Sequence, residues 1–107
     1  MNWKAVCLLD DIDPNTGVCA LVNGHQVALF RLAQGDQLFA IGNYDPVGGA
    51  NVLSRGLIAQ LGEVTSVASP LYKHHFCLST GVCQEDSNLR VPTYPVRLRD
   101  NRVEVVA

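Results

Sequence analysis

The stretch Val22-Asn23-Gly24-His25-Gln26-Val27-Ala28-Leu29-Phe30-Arg31 decides how this chain is to be read. Asn-Gly is the strongest short signal for a type I′ hairpin turn, because both central residues of that turn take positive φ. Val18 to Val22 then runs into the turn and Gln26 to Leu32 returns from it. On the return strand Val27, Leu29 and Arg31 share one face, and Ala28, Phe30 and Leu32 share the other. Gly35-Asp36 is a second tight turn, so Gln37 to Ile41 is a third arm. Towards the N-terminus, Trp3 to Leu9 is a short apolar run closed by the turn-forming stretch Asp10 to Gly17.

Downstream, Gly42 to Gly49 breaks the pattern with Asn43, Asp45, Pro46, Gly48 and Gly49 and reads as an irregular connection. Leu53, Leu57, Ile58 and Leu61 nearly make a helical stripe, but Gly56 in its middle costs about 1 kcal/mol against alanine. A turn and a short strand fit Val52 to Leu61 better. Glu63 to Ser69 and Phe76 to Leu78 are further strands, with Ser79-Thr80-Gly81 as a turn. Tyr94 to Arg99, Asp100-Asn101 and Arg102 to Val106 form a closing hairpin. About eight to ten short strands with turns between them predict an all-β fold, an antiparallel sandwich or barrel.

Composition narrows the function classes. In 107 residues, 48% are hydrophobic and 17% charged, which excludes disorder and suits a single domain over residues 1–107. The formal net charge of −2 comes without any basic run, so no nucleic-acid footprint is visible. No apolar stretch approaches the ~20 residues that span a bilayer. Met1-Asn2-Trp3-Lys4, soon followed by Asp10, Asp11 and Asp13, lacks the pattern of a secretion signal, so the expected location is the cytoplasm. Cys7, Cys19, Cys77 and Cys83 would allow two disulfides in a secreted protein; in a reducing cytosol they read as free, buried thiols.

Catalytic constellations are thin. Phosphate loop, serine elbow and zinc-helix motifs are absent from the sequence. Asp10-Asp11 and Glu85-Asp86 read as solvated turns. His74, His75, Cys77 and Cys83 carry the right atoms for zinc or iron. On a strand, however, His75 and Cys77 would share a face and His74 would not. Two exposed histidines beside Lys73, with buried cysteines, is the plainer reading. His25 is a loop residue, Trp3 and Phe30 are core, and Arg31, Arg55, Arg97 and Arg99 are solvated.

Two loops taken together resemble the Rieske ferredoxin pattern. The family's Cys-Pro-His-x-Gly-Ala finds Asp45-Pro46-Val47-Gly48-Gly49-Ala50, and its Leu-Ser-x-Gly finds Leu53-Ser54-Arg55-Gly56. Its second loop, Cys-Pro-x-His-Gly-x-x-Phe-x-Leu-x-Thr-Gly, is matched from Ser69-Pro70-Leu71-Tyr72 to Phe76-Cys77-Leu78-Ser79-Thr80-Gly81. Rieske centres hold their irons with two cysteines and two histidines. At those positions this chain has Asp45, Ser69, Val47 and Tyr72, so the resemblance implies the fold without the cluster.

A Rieske-like domain lacking its ligands is similar to the small subunits of bacterial assimilatory NAD(P)H nitrite reductases. Trp3-Lys4-x-Val6-Cys7, Leu9-Asp10-Asp11-Ile12-x-Pro14-x-Thr16-Gly17-Val18-Cys19, Val52-Leu53-Ser54-Arg55-Gly56-Leu57-Ile58-Ala59 and Gly81-x-Cys83-x-Glu85-Asp86 carry this closer match. The resemblance implies a chain that binds no metal or cofactor itself. Its partner would be a large subunit holding FAD, sirohaem and an iron–sulfur cluster, which reduces nitrite to ammonium. In cluster-bearing relatives the two loops form the tip from which electrons leave, so Tyr44, Val47, Leu71, Tyr72, Lys73, His74 and His75 are candidates for a partner interface. The alternative for Val47 and Tyr72 is that they fill the space of the missing cluster. Two other readings remain open: a stand-alone electron carrier, which the missing ligands disfavour, and a binding module or accessory subunit of another reductase or oxygenase.

Overall fold

Asn23 and Gly24 both take positive φ, 50° and 81°, as the type I′ turn requires, and they join strands of seven residues each. In the computed structural model, which describes residues 2–71 and 74–107, these are β2 (Thr16–Val22) and β3 (His25–Arg31). With β4 (Leu38–Gly42) they form an antiparallel sheet in the order β2-β3-β4. β3 reads as the apolar run Val27-Ala28-Leu29-Phe30 because both of its faces are covered: all four residues are fully buried.

That sheet is the middle layer. On one face Val27, Leu29, Val22 and Ala40 pack with Ile12, Val103 and Val105. The last two come from a second sheet, β1-β11-β10, made of β1 (Lys4–Leu8), β11 (Arg102–Val105) and β10 (Val96–Arg99). On the other face Ala28, Phe30 and Ile41 pack with Leu53, Val67, Phe76, Leu78, Cys83 and Val91. There β7 (Leu57–Leu61), β8 (Val64–Ala68) and β9 (His75–Cys77) supply a third antiparallel sheet. The alternation of side chains along β3 thus feeds two cores, one at the end of the molecule that holds the chain termini and one beneath the loops of the tip.

The all-β antiparallel expectation holds, with eleven strands among the described residues. Several local expectations change. Gly42 to Gly49 is not wholly irregular: β5 (Tyr44–Asp45) pairs with β6 (Ala50–Asn51) around Pro46 to Gly49. Leu53–Arg55 is a 3₁₀ turn leading into β7, so the turn-and-strand reading of Val52 to Leu61 stands. Trp3 is only partly buried, and the Arg97 guanidinium lies 4.2 Å from its ring centroid.

Arg31 is not a solvated arginine. Its side chain is 13% exposed, donates to the Ile12 carbonyl at 2.9 Å and pairs with Asp36 at 3.0 Å. It satisfies carbonyl groups left by the stretch Leu9 to Ile12, a need that no local pattern announces. His74 and His75 are half-buried rather than exposed. All four cysteines are free; Cys77 and Cys83 are buried, Cys7 is partly buried and Cys19 is exposed.

Candidate functional site: the loop tip

Two loops meet at the end of the molecule above the β7-β8-β9 sheet. The first leaves β5 at Asp45 and returns at Ala50, closed by the β5-β6 pair and by the Gly49 N–H donating to the Asp45 carbonyl at 2.8 Å. The second leaves β8 after Ala68 and is closed by the Ser69 N–H donating to the His74 carbonyl at 2.8 Å.

Asp45 and Ser69 join the loops. Asp45 is fully buried and Ser69 is 1% exposed. The Ser69 hydroxyl donates to Asp45 Oδ2 at 2.5 Å, while Asp45 Oδ1 accepts from the Val47 N–H at 2.8 Å. The latter is an Asx turn, in which a side-chain oxygen takes the place of a backbone carbonyl. Ser69 Oγ in turn accepts from the Leu71 N–H at 3.3 Å. Apolar packing follows the same seam: a methyl group on Gly48 would run into the Leu71 side chain and come within 2.9 Å of Asp45 Oδ2. Glycine at this position lets the loops close.

Beneath the seam, Asn43 is 2% exposed and fully used. Its Oδ1 accepts from the Ser54 N–H at 2.8 Å, its carbonyl from the Leu53 N–H at 3.1 Å, and its Nδ2 donates to Gln26 Oε1 at 3.1 Å. It ties the tip to the β2-β3 hairpin. Sequence reading took Asn43 only as a loop former.

Of the residues expected at a partner interface, Tyr44 and Leu71 are 52% and 46% exposed. Val47 is partly buried against the tip-side core, as a space-filling residue would be. His74 is half-buried, and its Nδ1 has no hydrogen-bond partner among the described residues. Tyr72 and Lys73 lie outside the described residues.

His75 faces a different partner. Its N–H donates to Glu85 Oε1 at 2.7 Å and its Nδ1 lies 2.7 Å from Glu85 Oε2. Burial alone would push the Glu85 carboxyl up; the hydrogen bonds and charge of His75 outweigh it and hold it below its ordinary value. Glu85 is exposed in a bend, as expected of a solvated turn residue, and it also anchors β9 through His75. Burial likewise pushes the Cys77 thiol up, but hydrogen bonds with Ser79 and Thr80 outweigh this and leave it below the usual thiol value.

The donor set of the tip does not fit a Rieske cluster. Two thiolates and two imidazoles are needed, and the corresponding positions offer a carboxyl, a hydroxyl, an isopropyl group and a phenol. Asp45 and Ser69 also bond directly to each other, which leaves no room for iron between them. Among the described residues no three His, Cys, Asp or Glu side chains are grouped to hold a metal ion.

The family model described as a Rieske-like [2Fe-2S] domain matches residues 2–106. The chain belongs to that family. Within it, the chain is 52% identical over 104 residues to the nitrite reductase (NADH) small subunit of Salmonella typhimurium, covering 97% of this chain and 96% of that one. The solution structure of the Escherichia coli protein NirD superposes with a TM-score of 0.89 at 50% identity, covering 97% of this chain and 94% of that chain. A further match, 40% identical over 103 residues, covers 96% of this chain and only 11% of the nitrite reductase [NAD(P)H] large subunit of Klebsiella oxytoca. The family expectation is borne out, and the chain groups with the nitrite reductase small subunits.

Proposed function

We propose that this chain is the small, cluster-free subunit of an NAD(P)H nitrite reductase, docking by its loop tip on a large catalytic subunit. The observation that carries the reading is end-to-end similarity to a nitrite reductase small subunit, 52% over 97% of this chain. The Klebsiella oxytoca large subunit supports the partnership, since a stretch similar to this chain is part of the same polypeptide there. Covalent joining gives two modules a high effective concentration and is a natural alternative to a separate, docking chain.

In this reading FAD, sirohaem and an iron–sulfur cluster reside in the large subunit, where nitrite is reduced to ammonium in the cytoplasm. This chain, acting as one domain, supplies no redox group. It supports assembly or the geometry of the electron path. Among the described residues, no helix is long and apolar enough to cross a membrane. Exposed Tyr44 and Leu71 form the apolar centre of the docking surface, with Val47 beside them and the half-buried His74 and His75 at its rim; Tyr72 and Lys73 belong to the candidate set by sequence alone.

Pull-down by a tagged large subunit tests the surface. Tyr44→Ala, Leu71→Asp and charge reversal at Lys73 and His74 are expected to weaken capture. Leu98→Asp, exposed on β10 in the β1-β11-β10 sheet of the terminal end, is expected to leave it unchanged. Capture indifferent to every tip variant, or lost with Leu98→Asp alone, would move the interface elsewhere.

A further inference from the structure

We propose that the Asp45–Ser69 hydrogen bond is a latch that takes over the cluster's mechanical role, holding the two tip loops in the shape on which the large subunit docks; the docking half of this statement rests on the subunit reading above. In a cluster-bearing relative the two cysteine positions are joined through iron. Here the same two positions, 24 residues apart in the chain, are joined directly by one buried hydrogen bond.

Each partner of the latch is also the hub of its own loop. Asp45 takes the Val47 N–H on its second oxygen, and Ser69 takes the Leu71 N–H on its hydroxyl. Severing the bond therefore leaves a buried hydroxyl or carboxyl without its partner and loosens both loops at once. The residues the latch directly orients are Val47 and Leu71, with Gly48 pressed against Leu71 between them. Leu71 is exposed and Val47 is half-buried, so the latch sets the apolar surface of the tip without being part of it. Asp45 and Ser69 are thus positioning residues.

The chemistry also predicts which variant rescues. An asparagine at position 45 keeps one oxygen for the Val47 N–H, and its amide N–H can donate to Ser69 Oγ, reversing the bond without losing it. Alanine at either position cannot.

Amide hydrogen exchange on the full-length chain decides the latch. In Asp45→Ala and in the milder Ser69→Ala, the Val47, Gly49 and Leu71 amides are expected to exchange at least about tenfold faster, with the β3 amides unchanged and with Asp45→Asn behaving as wild type. Unchanged loop exchange in both alanine variants overturns the latch. Affinity for the large subunit, measured on the same proteins, decides the docking half: an at least about tenfold loss in the alanine variants but not in Asp45→Asn is expected. Loosened loops with unaltered affinity overturn that half. Wild-type protein that binds no large subunit, while its loops still respond to the alanine variants, removes the subunit reading and leaves the latch standing.

Discussion

On one face of the β2-β3-β4 sheet, Val27, Leu29 and Ala40 close against Ile12, Val103 and Val105, with the Arg31 guanidinium reaching the Ile12 carbonyl at the end of the row. On the other, Ala28, Phe30 and Ile41 share their half of the molecule with Asn43, Asp45, Ser54, Ser66 and Ser69, which are the five buried polar residues among those described. Apolar packing suffices to hold sheets together, but it is not directional. A buried polar pair is satisfied in one geometry and costly in any other, so it specifies shape as well as stability. The concentration of buried polar side chains at the tip teaches that this end must hold a particular loop conformation, where the terminal end relies mainly on apolar closure.

The comparison breaks most directly if the two cores are not one cooperative unit. Phe30→Ala, in the tip-side core, is expected to cost about 3–5 kcal/mol, and Ile12→Ala, in the terminal core, about 2–5 kcal/mol. Urea denaturation followed by tryptophan fluorescence and by circular dichroism is expected to give one coincident transition in both variants. Separate transitions would mean that the two ends fold independently.

Asp45→Ala sharpens the contrast. It is expected to cost about 1–3 kcal/mol, the range for leaving buried groups unpaired, with Asp45→Asn costing clearly less. At the terminal core the largely buried polar side chain is Arg31, which serves the Ile12 carbonyl at 2.9 Å instead of pairing two loops side chain to side chain. A second, partly buried one is Arg97, stacked on Trp3 and donating to Glu104 Oε1 at 2.6 Å. Arg97→Ala is expected to cost about 0.5–1 kcal/mol, a partly exposed cation–π contact with an ion pair.

The smallest effect concerns pH. The folded-state pKa of Glu85 is depressed, so between its folded and unfolded values the folded protein binds fewer protons than the unfolded one. Its stabilisation is present above the unfolded value, about 4.3, and is lost as pH falls through the lower folded value. Glu85 is 44% exposed, so the effect is a fraction of a kcal/mol. Denaturation midpoints of Glu85→Gln are expected to fall less steeply than those of wild type between about pH 5 and pH 3.

Much of the fold was legible because it rests on local signals. The Asn23-Gly24 turn fixes the β2-β3 register, and the two faces of β3 were assigned correctly from alternation alone. The loop motifs pointed to the Rieske-like family through spacing. What stayed hidden depends on contacts between distant residues. Asp45 and Ser69 were recognised as departures from the ligand pattern, but nothing periodic says that they bond to each other. Their chemistry was the available signal: one cysteine position holds a carboxyl that can accept a hydrogen bond and the other a hydroxyl that can donate it. Arg31 was misread, and the second role of Glu85 missed, for the same reason, since their partners at Ile12 and His75 are met only after folding. The short β5-β6 pair was hidden by the glycines and proline that make its turn.

The central claim is that this chain serves a nitrite-reducing large subunit without carrying a redox group of its own. Anaerobic co-expression with that subunit, followed by nitrite-dependent NAD(P)H oxidation with and without this chain, tests it most directly. Co-purification and turnover that depends on this chain are predicted. Failure to associate, together with turnover that is the same in its absence, would contradict the account.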